Sequence, residues 1–262
     1  MLGLKLPNDY PKLISRCELP EDRNWTIWDN NGNLLYMNFN DKITDGSGMF
    51  SDTATLTSFE IDLPLMEKCE GMFAWCENLI KVVSNMSNVI NGKRTFIDCK
   101  SLETFCGDLS SLTNGYQMFK GCTNLKHFVS DLSSMKIISN VSNYEEMNSE
   151  FLSDCPLETF KASLKSLVNG SGLLKNAKLD KESVLFIKSD LSENNVVSQN
   201  EAMENSGTNM PFINLTIGIK EDLKNDSSFL EEIGVKSTSG TSTTVTWKNK
   251  INTQISVNIR WN

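Results

Sequence analysis

Phe50, Phe73, Phe96 and Phe119 are separated by a constant 23 residues, and this period limits what the chain can fold into more than any other feature. Further apolar columns keep the same register. Six residues after each Phe come Leu56, Leu79, Leu102 and Leu125; nine after come Phe59, Val82, Phe105 and Phe128. Thirteen after come Leu63, Met86, Leu109 and Leu132; sixteen after come Met66, Val89, Leu112 and Met135. Cys76, Cys99 and Cys122 follow the last three Phe by three residues. A period in the twenties, built from a short extended piece, a turn and a second apolar segment, predicts a stacked array. No single unit can bury its own apolar side, so neighbours must complete the core. Leu125–Leu132 reads as the strand-bearing limb, with the Met118-Phe119 limb facing it.

The pattern slips once and recovers. Phe151 lies 32 residues after Phe119 and is followed at the same offsets by Leu157, Phe160, Leu164 and Leu167, so a nine-residue insertion is expected in about 136–150. A partial copy is expected from Leu174, 23 residues after Phe151. Asn91-Gly92, Asn114-Gly115 and Asn169-Gly170 share one offset, where residues that tolerate left-handed backbone predict a tight turn.

The unit Met-Phe-x-x-Cys-x-x-Leu appears as Met72-Phe73-Ala74-Trp75-Cys76-Glu77-Asn78-Leu79 and again as Met118-Phe119-Lys120-Gly121-Cys122-Thr123-Asn124-Leu125, the latter continuing to Phe128. It resembles the BspA-like leucine-rich repeat family over about residues 48–191, and is similar to the Met-Phe repeats of bacterial surface proteins. Asp-Leu-Ser-Ser stands where many members carry an apolar-Pro step, so the limb after Phe128 is expected to bend differently. Similar repeats followed by a Leu-Asp-x-x-Ser-Val segment, here Leu179-Asp180-Lys181-Glu182-Ser183-Val184, occur in proteins of gut bacteriophages and their hosts. The resemblance implies an α+β fold, a leucine-rich-repeat-like solenoid of 23-residue coils, and a setting similar to phage structural proteins.

The flanks do not follow the repeat. In residues 1–47, Trp25-Thr26-Ile27-Trp28 and Leu34–Phe39 surround an Asn-Gly pair, which predicts a β-hairpin that caps the array or docks it elsewhere. Asp180 is placed to N-cap a helix through about Asp190, with Val184, Ile187 and Leu191 on one side, closing a segment 48–191. Residues 192–210 are polar and read as a mobile connection within a last segment, 192–262. There Ile213, Leu215, Ile217 and Ile219 alternate as a strand, and a short helix is expected around Glu221–Glu232. Val245-Thr246-Trp247 leads through a turn at Lys248-Asn249-Lys250 to a final strand with Ile255, Val257, Ile259 and Trp261 on one face, giving a small C-terminal α/β domain.

Charge and cysteine count narrow the function. The 262 residues carry 33 acidic and 25 basic side chains, a net charge of -8, which argues against nucleic acid and anionic membrane surfaces as partners. No run of eighteen apolar residues predicts membrane insertion, and the first residues lack the apolar stretch of a signal peptide. Seven cysteines, an odd number in a long chain, argue for free thiols; Cys76, Cys99 and Cys122 are expected to fill a narrow buried column. His127, the single histidine, is expected to point outward, and most hydrolase and metalloenzyme chemistry would depend on it alone. Asp62, Asp108 and Asp131 share an offset with Asn85 and Ser163. That exchange favours side chains hydrogen-bonding nearby backbone N–H groups over a calcium ladder or an acid–base pair.

No catalytic, cofactor or metal site is therefore expected, and Lys126, His127 and Lys161 on the outward face are the candidate binding residues. The function expected is non-enzymatic: a bacteriophage virion component, such as a head or tail fibre or a decoration protein, presenting a repeat surface for protein or glycan attachment. Its partners would be other virion structural proteins, with a host surface glycan or protein as a further ligand, in a homo- or hetero-oligomer. The alternative is a bacterial cell-surface or secreted leucine-rich-repeat adhesin. A third, glycan-active enzyme would need paired carboxylates in one cleft, and the sequence supplies none that can be placed.

Overall fold

The computed structural model describes residues 2–5, 25–28, 34–38, 43–135, 150–167, 169–194 and 213–262. These form an α+β structure with few helices and three open sheets, one parallel and two mixed, with no closed barrel among the described residues. Near the N-terminus β1 (Leu2–Lys5) runs parallel to β2 (Trp25–Trp28), and β2 pairs antiparallel with β3 (Leu34–Asn38). The expected hairpin strands do pair; the Asp29–Asn33 connection lies outside the described residues, as do 136–149 of the expected insertion and 195–210 of the expected connection.

The period of 23 becomes a parallel sheet. Its strands are β4 (Ser58–Phe59), β5 (Lys81–Asn85), β6 (Thr104–Asp108), β7 (His127–Asp131) and β8 (Thr159–Ala162), side by side in chain order. Equivalent residues of successive units are partners, so Val82 lies beside Phe105 and Phe105 beside Phe128, one period apart, and Phe128 lies beside Phe160, 32 residues on across the insertion. All four side chains are fully buried. The facing limb stacks its own rings, with Phe50 to Phe73 at 5.3 Å, Phe73 to Phe96 at 5.1 Å and Phe96 to Phe119 at 5.0 Å. The two ring columns meet edge to face, as in Phe105 against Phe119 at 4.9 Å. Such pairs add about 0.5–1.5 kcal/mol each beyond area burial.

The facing limb is not a strand, yet it satisfies its backbone. Phe73 N–H donates to Thr95 O of the next unit, Ala74 N–H to Gly71 O of its own, Trp75 N–H to Ile97 O of the next, and Cys76 N–H to Phe73 O. This alternation requires a left-handed residue on each side of the Met-Phe step. Gly48, Gly71, Arg94, Gln117 and Glu150 form one left-handed column, and Asp52, Trp75, Asp98, Gly121 and Asp154 the other.

Those columns correct the register of the fifth unit. They place Leu152, not Phe151, in the column of Phe119, and Phe119 N–H donates to Phe151 O as Phe96 N–H donates to Met118 O. Cys155 joins the cysteine column one residue later than the expected spacing, and Phe151 meets Phe119 at an interplanar angle of 84° rather than stacking on it. One extra residue before this limb is offset by one fewer between Cys155 and Leu157. The outer offsets therefore look undisturbed in the sequence.

The expected tight turn forms at two Asn-Gly pairs, with Thr95 N–H donating to Gly92 O and Met118 N–H to Gly115 O, while Asn169-Gly170 lies in a strand. The left-handed residues of the turns are Arg94 and Gln117, and Gly92, Gly115 and Gly170 are not left-handed. Their absent side chain makes room instead: a Cβ at Gly92 would lie 3.0 Å from Leu112, and one at Gly115 2.8 Å from the Phe151 ring. Asn91 and Asn114 form bridges between successive units, a second line of parallel pairing opposite the sheet.

At the far edge the array is closed by α1 (Lys181–Ser192), N-capped by Asp180, whose carboxylate accepts from Ser183 N–H at 2.8 Å. Val184, Ile187 and Leu191 are buried, as expected. Phe160 N–H of β8 donates to Ser183 Oγ at 3.0 Å, exactly one 23-residue period away, so the helix stands where another strand would. Before it, Leu174 lies within β9 (Asn169–Leu179), not in a partial copy of the repeat. β9 belongs to the second described mixed sheet, with β10 (Ile213–Ile219), β11 (Ser242–Lys248) and β12 (Gln254–Trp261) in the order β11-β12-β10-β9. Its buried face, including Ile217, Val245, Val257 and Ile259, shares one continuous core with α1 and α2 (Ser227–Ile233).

The helix expected around Glu221–Glu232 is split into a 3-10 turn, Glu221–Asn225, and α2, because the Asp226 carboxylate accepts from Phe229 N–H at 2.9 Å and starts a new helix. The last turn runs over Asn249–Thr253, later than expected, closed by Asn249 N–H donating to Thr253 O at 3.1 Å.

Candidate binding surface

Side chains alternate across a strand, so burying Phe105, Phe128 and Phe160 turns their neighbours to the opposite face of the parallel sheet. One outward row is Lys81, Thr104, His127 and Thr159; the next is Val83, Cys106, Val129 and Lys161. Adjacent members sit about 4.8 Å apart along each row. Lys126 and His127 are exposed, and their N–H groups both donate to Glu103 O, at 3.0 and 3.1 Å. Lys161 is exposed as well, but its Nζ is engaged 3.1 Å from Glu182 of α1. All three candidate residues thus lie on or beside one face, with Lys161 held by an ion pair at its α1 edge. Lys220 lies 3.0 Å from Glu158, next to this edge, and holds that carboxyl below the usual range, with smaller contributions from Lys126 and His127.

Cys106 is the residue on this face that spacing to other cysteines does not reveal. It belongs to no cysteine column, and only the alternation around Phe105 predicts its outward direction; it is the one exposed cysteine among the described residues.

The buried cysteines behave differently. Cys76, Cys99, Cys122 and Cys155 each donate Sγ–H to the carbonyl of Phe50, Phe73, Phe96 and Phe119 respectively, at 3.0–3.2 Å. Burial pushes the Cys76 thiol up to about 11 and the Cys69 thiol up to about 12, and drives Cys99, Cys122 and Cys155 upward too. Thiols so placed stay protonated at neutral pH, and the thiolate is the nucleophilic form. The column is a packing element with a satisfied donor.

The shared carboxylate offset also closes locally. Asp108 accepts from Ser110 N–H at 2.8 Å, Asp131 from Ser133 N–H at 2.7 Å and Asn85 from Ser87 N–H at 3.0 Å, each two residues on; Asp62 accepts from Asn85 N–H of the next unit at 2.7 Å. Ser163 takes a different part, donating to Asp190 of α1 at 3.3 Å. The contacts of Asn85, Asp108 and Asp131 form turns, and those of Asp62 and Ser163 tie one unit to the next or to α1. No group of three or more His, Cys, Asp or Glu side chains arranged to hold a metal occurs among the described residues. No helix among them is long and apolar enough to cross a membrane.

Comparison of the chain with protein-family models, with curated proteins and with solved structures gives no match in any of the three.

Proposed function

We propose that residues 48–191 form a leucine-rich-repeat-like solenoid whose open sheet face binds another macromolecule, and that the protein is a non-enzymatic virion component of a bacteriophage, a fibre or decoration protein. The observation that carries the binding role is the face itself: outward rows such as Thr104–His127–Thr159 and Cys106–Val129–Lys161 repeat in strict strand register. An extended array of this kind offers a macromolecule a series of contacts at regular spacing, whereas a small-molecule site needs an enclosing pocket. The virion setting rests on the likeness of the Met-Phe repeat to repeats in phage proteins.

The setting is tested by mass spectrometry of purified particles, in which peptides of this chain are expected at structural stoichiometry. Recovery from the bacterial envelope instead would favour the adhesin. The face is tested with a glycan array and with virion proteins as ligands, comparing the native chain with Lys126→Ala/His127→Ala/Lys161→Ala. Because these side chains are exposed, each substitution should change stability by no more than about 0.5 kcal/mol. Binding that survives all three substitutions would move the interface off this face.

A further inference from the structure

Sheet edges present unpaired N–H and C=O groups, and proteins usually blunt them with short strands, bulges, charge, proline or a covering element. Three edges of the two C-terminal sheets are treated in this way. β4 is two residues long, β8 is covered by α1 through Ser183, and the β9 edge is irregular, with register shifts against β10 at Leu215/Ile217 and Ile217/Ile219. β11 is the exception. It is seven residues long, pairs with β12 without a bulge, and reads Ser-Thr-Thr-Val-Thr-Trp before its one charge, Lys248. No strand among the described residues lies on its other side; α1 meets the chain just beyond the strand's end, where Lys250 N–H donates to Ser192 O at 2.8 Å, and leaves Ser242–Lys248 without a backbone partner on that side.

The backbone directions of β11 follow from its ends. Trp261 N–H donates to Thr241 O, and Asn249 N–H to Thr253 O, so the odd-numbered residues of β11 exchange hydrogen bonds with β12. The N–H and C=O groups of Ser242, Thr244, Thr246 and Lys248 therefore point away from the sheet.

The geometry points to a second copy of this chain as the occupant of that edge, the two β11 strands pairing antiparallel about a two-fold axis at Val245. This register uses every outward-pointing residue of the strand. It sets Thr244 against the partner copy's Thr246, Ser242 against its Lys248, Thr243 against its Trp247, and Val245 against its own counterpart. Like charges never meet, and the β-branched and aromatic pairs are of the stabilising cross-strand kind. A symmetric, self-complementary patch is what a two-fold dimer needs. The pairing is independent of what the parallel sheet face binds.

Light scattering on the full chain should give about twice the 29.4 kDa chain mass. Thr244→Lys/Thr246→Lys, which opposes lysines across the axis on an exposed face, should return the chain mass, with a cooperative melt that no longer depends on protein concentration as that of the native dimer does. Thr244→Lys/Thr246→Glu, which opposes Lys to Glu in this register alone, should restore the dimer. Thr246→Pro removes an outward N–H while sparing the bonds to β12, and should also give a monomer. A monomeric native chain would overturn the inference and leave the edge to a strand of another protein. A dimer indifferent to the lysine pair would overturn it equally, by placing the interface elsewhere.

Discussion

Gly107 sits on the inner side of β6, where a Cβ would lie 2.7 Å from Ser84 O and 2.9 Å from the Phe105 ring. A backbone carbonyl cannot swing aside, so Gly107→Ala should cost about 1–3 kcal/mol in urea unfolding. Asp190 carries a pH dependence that runs against the usual carboxylate direction. Burial raises its carboxyl above the ordinary 3.8, only partly offset by hydrogen bonds from Leu164 N–H and Ser163 Oγ. The folded state then holds the proton more tightly than the unfolded one, so stability falls as pH rises from 3.8 through the raised value, and stays lower above it. Asp190→Asn keeps an acceptor for Leu164 N–H without the charge. It should flatten that part of the stability profile and raise the neutral-pH melting temperature; a lower melting temperature at pH 7 would show that the carboxylate's hydrogen bonds outweigh its desolvation. The apolar and cysteine columns were legible in the sequence because burial selects residue type. The left-handed columns were not, because Arg94, Gln117, Glu150, Asp52, Trp75, Asp98 and Asp154 stand where glycine would have signalled them.

Among the elements, α1 was legible in both its cap and its buried side, and its capping contact is open to measurement. Asp180→Ala removes the acceptor of Ser183 N–H while leaving the core intact, and should cost about 1 kcal/mol. Hydrogen exchange should then rise first at Phe160, whose N–H depends on Ser183 Oγ; uniform exchange across β5–β8 would mean that the helix does not protect that edge. The displaced fifth-unit limb was hidden by compensation, since Leu157, Phe160 and Leu164 return to their offsets after Cys155 has shifted. β9 was misread for a related reason: Leu174 and Leu179 are buried in either arrangement, and burial alone does not say which sheet a strand joins.

Across the molecule, one core runs from Phe50 to Trp261, so a charge placed inside it should be felt throughout. Leu125 is fully buried, and Leu125→Asp should destabilise the fold by about 4 kcal/mol or more, because the carboxylate has no partner there. A soluble variant melting with native cooperativity would count against the packing of this limb. The helix that replaces a strand after β8 has a wider consequence. Every 23-residue unit advances the parallel sheet by one strand spacing, about 4.8 Å, until α1 ends the series. The reach between the two ends of that sheet is therefore a ruler graduated in repeats, and a gene could change it by whole steps, through duplication or loss of a unit, without redesigning either end.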